Sequence, residues 1–103
     1  KVLIVGAGDK GEILLREIRR NKNYNYKTVG FVDDNLKKVG SRIHGLSVLG
    51  TKEDIPRLIK RYEIDKIFIA IPSKFKEDID FIIEVCQSCE IECQLIRGML
   101  DIQ

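Results

Sequence analysis

Six consecutive residues near the start of the chain, Gly6-Ala7-Gly8-Asp9-Lys10-Gly11, carry glycine in the pattern GxGxxG. Each glycine answers a different steric demand. Gly6 allows a tight turn at the end of an extended segment. Gly8 has no side chain, so the backbone can lie against a bulky anion. Gly11 lets the following helix approach the preceding strand. A helix that starts here presents free N–H groups and a partial positive charge, which suits the pyrophosphate of a dinucleotide. All six residues are therefore candidate cofactor contacts. The pattern by itself is weak and gains meaning only between a strand and a helix. The competing reading is a plain glycine-rich turn.

A second candidate is Asp33, which lies 22 positions beyond Gly11 (33 − 11). A ribose-binding acid is expected about 20 residues after such a motif. Its carboxylate can accept both ribose hydroxyls, and its charge opposes a 2′-phosphate. NAD is thus favoured over NADP. Asp34 is adjacent and can share or replace the role; the alternative for Asp33 is a solvated acid that opens a turn. Ile71-Pro72-Ser73 ends the most apolar stretch of the chain and is expected on the same edge as the glycine loop. Ser73 is either a donor to phosphate or ribose, or a helix N-cap.

The elements that must position these residues follow from periodicity. Val2–Val5 is a short continuous apolar run, as in a strand buried on both faces. Residues 11–21 read as a helix, with Ile13, Leu14, Glu17 and Ile18 at the spacing of one face and Arg16, Arg19 and Arg20 on the other. Residues 28–33 form a second strand, 34–45 a charged loop, and 46–49 a short third strand. Thr51 caps a helix whose inner face is Ile55, Leu58, Ile59 and Tyr62. Residues 66–71 make a fourth strand, 75–89 a third helix and 92–96 a fifth strand. Strands alternating with helices mean βαβ units with right-handed crossovers. The expected fold is a Rossmann-like three-layer α/β/α domain with a mostly parallel five-stranded sheet, order 3-2-1-4-5. The switch point then falls between strands one and four, beside the glycine loop, where ligands of open α/β sheets bind.

Composition bounds the rest. The 103 residues, 44% hydrophobic and 33% charged, suit one globular domain. A net charge of +2, with no basic block, gives no push toward nucleic acid. Three cysteines without a secretory signal point to a reducing, cytoplasmic setting. The longest apolar run is too short to span a bilayer. A chain that opens directly on a strand is expected to be a domain of a longer protein.

Three further groups carry side chains that could do chemistry. Tyr62 and Lys66 have the Tyr-x-x-x-Lys spacing of a proton-moving pair, but Lys66 falls at a strand start, off the helix face of Tyr62. Cys86, Cys89 and Cys93 offer three thiols where a metal site usually needs four ligands, and read as small core residues. His44, the one histidine, sits in a loop with no partner visible in the sequence. No catalytic residue and no metal ligand is assigned.

The segments KVLIVGAGDKG (1–11), VGFVDD (29–34), IHGLSVLG (43–50) and IFIAIPS (67–73), with the Arg16-Glu17-Ile18 helix and a closing segment at 96–102, occur in one order. Together they resemble the first nucleotide-binding domain of the large nucleotide-sugar 4,6-dehydratases and epimerases of bacterial polysaccharide biosynthesis, the CapD-like group. Similar segments occur in the central domain of membrane sugar-phosphate transferases and in CoA-binding Rossmann domains. The resemblance implies a cytoplasmic domain of a parent anchored in the bacterial inner membrane, with a separate catalytic dehydratase domain as partner. The group's ligand positions carry over to Gly6, Gly8, Gly11 and Asp33. Arg97 departs from the pattern, where a proline is expected. NAD is the expected cofactor, with NADP and CoA as alternatives; a regulatory CoA- or NAD(H)-binding module is the alternative function. A second copy of the chain is a further candidate partner.

Overall fold

The computed structural model describes residues 1–97, so most of the closing 96–102 segment lies outside the described residues. The elements run β1 (Val2–Val5), α1 (Asp9–Arg20), β2 (Thr28–Val32), β3 (Arg42–Ile43), β4 (Leu46–Gly50), a 3-10 turn (Lys52–Asp54), α2 (Ile55–Tyr62), β5 (Lys66–Ile69), α3 (Lys76–Ser88) and β6 (Glu92–Leu95). They form a six-stranded sheet of order β3-β4-β2-β1-β5-β6. The five strands expected from the sequence hold their expected order and are all parallel.

The sixth strand corrects the expected count. β3 pairs antiparallel with β4, Arg42 opposite Ser47 and Ile43 opposite Leu46. Between them stand His44 and Gly45, both at positive φ, 53° and 80°. Two such residues make the tight hairpin turn whose twist matches that of its strands. The Arg42 guanidinium closes it by donating to the Gly45 carbonyl at 2.9 Å.

Alternation along the central strands divides the core between the two faces of the sheet. Val2 and Ile4 of β1, with Phe31 and Phe68, pack against Leu14, Leu15 and Ile18 of α1. Leu3 and Val5, with Ile67 and Ile69, pack against Ile55 and Leu58 of α2 and Ile79 and Ile82 of α3. Side chains of a strand point alternately to opposite faces, so one four-residue strand anchors both helical layers. This places α1 on one side, α2 and α3 on the other, and all the strand ends that matter for ligand binding at one edge.

The entry to α2 is fixed by the Thr51 segment. The Asp54 carboxylate accepts from the Thr51 backbone N–H at 2.9 Å, as in a capping box. That bond, helped by Arg57, holds the Asp54 carboxyl below its ordinary value. Asp54→Ala is expected to lower stability by about 1 kcal/mol in urea denaturation at neutral pH. A depressed carboxyl stabilises the fold while it is ionised. The difference from wild type is therefore intact above about pH 4 and fades as the pH falls further.

Candidate functional site

The glycine turn lies between the ends of β1 and β5, at the switch point. Gly6 has φ +112°, and a Cβ there would overlap the Ala70 carbonyl oxygen and stand 2.9 Å from the carbonyl carbon. The turn thus packs backbone to backbone on the loop after β5. The Gly6 N–H donates to the Val32 carbonyl at 2.7 Å, and the Ala70 N–H to the Val5 carbonyl at 2.8 Å. Gly11 is pressed onto Gly6: a Cβ at Gly11 would overlap the Gly6 carbonyl oxygen and touch the Phe31 ring at 3.4 Å.

Gly8 differs from both. A Cβ at Gly8 would meet nothing within 4 Å. Gly8 is the N-cap of α1, with extended backbone and no side chain to cap the helix. The helix begins at Asp9, two residues before the expected start, so the first-turn N–H groups belong to residues of the glycine loop itself. Such groups have no partner inside the helix. Asp9 brings a carboxylate to the same end, and Lys10 follows it.

Asp33 stands just beyond the end of β2 and is partly buried. One carboxylate oxygen accepts from the Ala7 N–H at 2.8 Å and the other from the Asn35 N–H at 2.8 Å. Asp33 therefore braces the glycine loop and opens its own turn at the same time. A carboxylate has about four lone-pair sites, so two remain for a ribose diol. Lys38, which has no marker in the sequence, clamps the loop from the other side by donating to the Ala7 carbonyl at 3.1 Å. Asp34, the candidate to share the role of Asp33, is paired with a cation. Its carboxylate is held by the Lys52 ammonium at 2.6 Å and the Lys52 N–H at 3.1 Å. Lys52 also reaches Asp78 at 3.4 Å and Glu53 at 3.5 Å. The Asp34 contact, with that of Asp78, raises the Lys52 ammonium above the ordinary lysine value despite partial desolvation.

These groups surround a cleft of about 470 Å³. Its walls include Gly6, Gly8, Asp9, Lys10, Asp33, Asp34, Ile71 and Pro72, and it is closed on the α3 side by Phe75, Asp78 and Ile82. Ala7 is buried behind the loop. Ser73 is not part of this cleft; it is exposed and lines a separate groove. Nor is it a helix cap, because α3 starts at Lys76 with Phe75 as its N-cap. Lys52, Asp78 and Phe75 were not found from the sequence, since their positions in the cleft depend on the packing of α2 and α3.

The other groups fall elsewhere. Tyr62 ends α2 and packs on the α2–α3 face. Lys66 opens β5 and is buried on the opposite face, 3.3 Å from the Tyr26 hydroxyl and over the Phe68 ring at 4.9 Å. Burial, with Cys93 and Cys89 nearby, pushes the Cys86 thiol up to about 12. Among the described residues no His, Cys, Asp and Glu grouping could hold a metal. His44 does have a partner, contrary to the sequence reading: its ring meets Glu12 of α1 at 2.8 Å, and Arg19 donates to its carbonyl at 2.7 Å. The β3–β4 turn is thereby tied to α1, a contact that sequence distance conceals. Among the described residues no helix is long and apolar enough to cross a membrane.

An open, mostly parallel sheet whose glycine turn and strand-end acid meet over a cleft at the switch point defines a Rossmann-type domain. The chain belongs to the CoA-binding domain family, whose model matches residues 1–96. It is 39% identical over 101 residues to the capsular polysaccharide biosynthesis protein CapD of Staphylococcus aureus, covering 97% of this chain and 17% of that protein. It is 36% identical over 78 residues to the redox-sensing transcriptional repressor Rex of Desulforamulus reducens, covering 76% of this chain and 36% of that protein. Among solved structures, UDP-D-quinovosamine 4-dehydrogenase from Vibrio fischeri matches with a TM-score of 0.82 and 30% identity, over 97% of this chain and 80% of that one. The resemblance to the CapD-like group therefore holds over nearly the whole chain. The chain spans about a sixth of the length of CapD, the share being 17%.

Proposed function

We propose that this domain binds NAD across the loop from Gly6 to Gly11 and is the nucleotide-binding domain of a longer polysaccharide-biosynthesis protein. The observation that carries the reading is Gly8. It leaves open space at an uncapped helix N-terminus, on the wall of a cleft that also contains Asp33. A pyrophosphate there would take the free N–H groups of the first turn, and its position requires that no side chain project from Gly8. The two lone-pair sites left on Asp33 suit the ribose diol, while Ile71 and Pro72 offer an apolar wall to the adenine. The candidate contacts are Gly6, Ala7, Gly8, Asp9, Lys10, Gly11, Asp33, Asp34, Ile71 and Pro72; Ser73 is left to the groove beyond.

The likeness to CapD supports a parent in capsular polysaccharide biosynthesis, and the likeness to UDP-D-quinovosamine 4-dehydrogenase supports a nucleotide sugar as its substrate. In that reading the dehydratase or epimerase chemistry belongs to a separate catalytic domain of the same chain. The domain works on the cytoplasmic side of a parent anchored in the bacterial inner membrane. CoA is the second reading, favoured by the description of the matching family. The Asp33 carboxylate at the ribose position opposes it, because CoA carries a 3′-phosphate on the adenosine ribose, whereas Asp34 and Asp78 are paired with Lys52.

Titration calorimetry with NAD, NADP and CoA separates the two. NAD is expected to bind about tenfold more tightly than either phosphorylated ligand at low salt, since a phosphate dianion would face the Asp33 carboxylate, which is held by the Ala7 and Asn35 N–H groups and not by a cation. CoA binding more tightly than NAD would assign the cleft to CoA instead.

A further inference from the structure

The α3 wall of the cleft carries one acid between two apolar side chains. Phe75, Asp78 and Ile82 stand three and four residues apart, so the start of α3 presents them to the cleft as one stripe. Ile71 and Pro72, from the loop after β5, add to the same apolar lining. An acid in the first turn of a helix suits the dipole, and that alone would account for Asp78 on an open surface. Here the acid lines a cavity.

Lys52 fixes where Asp78 stands. Its ammonium meets Asp34 at 2.6 Å and Oδ1 of Asp78 at 3.4 Å. One ammonium spans both acids, which brings the Asp78 carboxylate close to the end of β2, where Asp33 is placed for the ribose. An ammonium has three N–H donors, and Glu53 at 3.5 Å is the third carboxylate around it. Lys52 is thereby committed to acids rather than to a ligand. Asp78 is not: Lys52 is its one cation among the described residues. A carboxylate has about four lone-pair sites, so the Oδ2 side can still accept from a donor.

A base carried by a ribose at Asp33, and turned away from a pyrophosphate at Gly8, enters this space between the apolar side chains. Purine bases differ at the edge that then meets Asp78. Adenine carries an exocyclic amine, whereas hypoxanthine and guanine carry a keto oxygen in its place. A carboxylate accepts from the amine and repels the oxygen. We propose that Asp78, held by Lys52, accepts from the exocyclic amine of the base and makes the cleft select adenine nucleotides over keto-purine nucleotides. The inference rests on the dinucleotide reading above and adds to it the residue that chooses the base. Lys52 is the positioning residue in this arrangement.

The test is calorimetry of NAD and its deaminated analogue, nicotinamide hypoxanthine dinucleotide, with the wild-type chain and Asp78→Asn. The substitution preserves shape, the Asp78 side chain is 38% exposed, and Lys52 keeps Asp34 and Glu53, so the variant keeps the fold. Wild type is expected to bind NAD about tenfold more tightly than the analogue; the exposure of Asp78 holds the ratio well below that of a fully enclosed polar contact. In Asp78→Asn the affinity for NAD should fall, because the acceptor is no longer charged. The affinity for the analogue should rise, because an amide can donate to the keto oxygen. The ratio should shrink to about threefold or less. A residue that only supports the helix would move both affinities in the same direction. If wild type binds the two ligands equally, or if the variant leaves their ratio unchanged, the base selection is wrong and the dinucleotide reading stands. If neither ligand binds wild type, both fall.

Discussion

Gly8→Val is expected to abolish dinucleotide binding, with affinity falling by about a hundredfold or more, while the domain stays folded. The two effects separate because of where the new side chain goes. Gly8 has φ −91°, which any residue adopts, and a Cβ there meets no protein atom within 4 Å. The folded protein therefore loses at most about 1 kcal/mol, the preference for glycine over valine at an N-cap. The isopropyl group instead fills the space in front of the free N–H groups of α1. A pyrophosphate displaced from them loses several charge-assisted hydrogen bonds at once. Gly11→Ala is the informative contrast. Its single methyl would overlap the Gly6 carbonyl oxygen, a backbone atom held in place on the loop after β5. It is expected to cost about 3 kcal/mol in stability, the upper range for overpacking. Thermal unfolding and calorimetry on both variants check the pair. Wild-type affinity in Gly8→Val would mean that no phosphate lies against that backbone.

Asp33→Ser is expected to weaken the protein and to narrow its preference for NAD over NADP together. The first effect arises from the brace. Ala7 is buried, and its N–H donates to the Asp33 carboxylate; a serine is too short to keep that bond and the one to Asn35. Leaving a partly buried donor unpaired costs about 1–3 kcal/mol. The second effect arises from charge: without the carboxylate, a 2′-phosphate no longer faces repulsion at the ribose. Lys38→Met separates the two causes. It releases the other clamp on the loop, the bond to the Ala7 carbonyl, and leaves Asp33 in place. It should lower stability without changing the NAD to NADP ratio. A Asp33→Ser variant that is destabilised yet keeps the wild-type ratio would make Asp33 a brace alone.

The sequence by itself determined the alternation of strands and helices, the parallel order of five strands, and the roles of Gly6 and Gly11 in the fold. These rest on local physics. A four-residue run such as Val2–Val5 is buried on both faces because its alternate side chains face different helices. Gly6 and Gly11 are needed because the backbone turns and crosses itself within six residues. The β3–β4 hairpin was also locally encoded, in the His44-Gly45 pair. It was hidden because a strand of two residues, Arg42–Ile43, is too short to show alternation.

Tertiary structure alone decided the surroundings of the site. Asp33 was legible as a candidate from its spacing, but its hold on Ala7 depends on β1 and β2 lying side by side in register, Val5 against Val32. Lys52 meets both Asp34 and Asp78 only because α2 and α3 pack on the same face of the sheet and converge at its edge. Ser73 follows the strand that ends beside the glycine loop, yet the start of α3 at Lys76 carries it past the cleft and into the groove. The Glu12–His44 contact joins residues of α1 and the β3–β4 turn across 32 positions. Periodicity and turn chemistry act over a few residues. Which charges share a cleft is set by strand order and helix placement, which only the assembled sheet fixes.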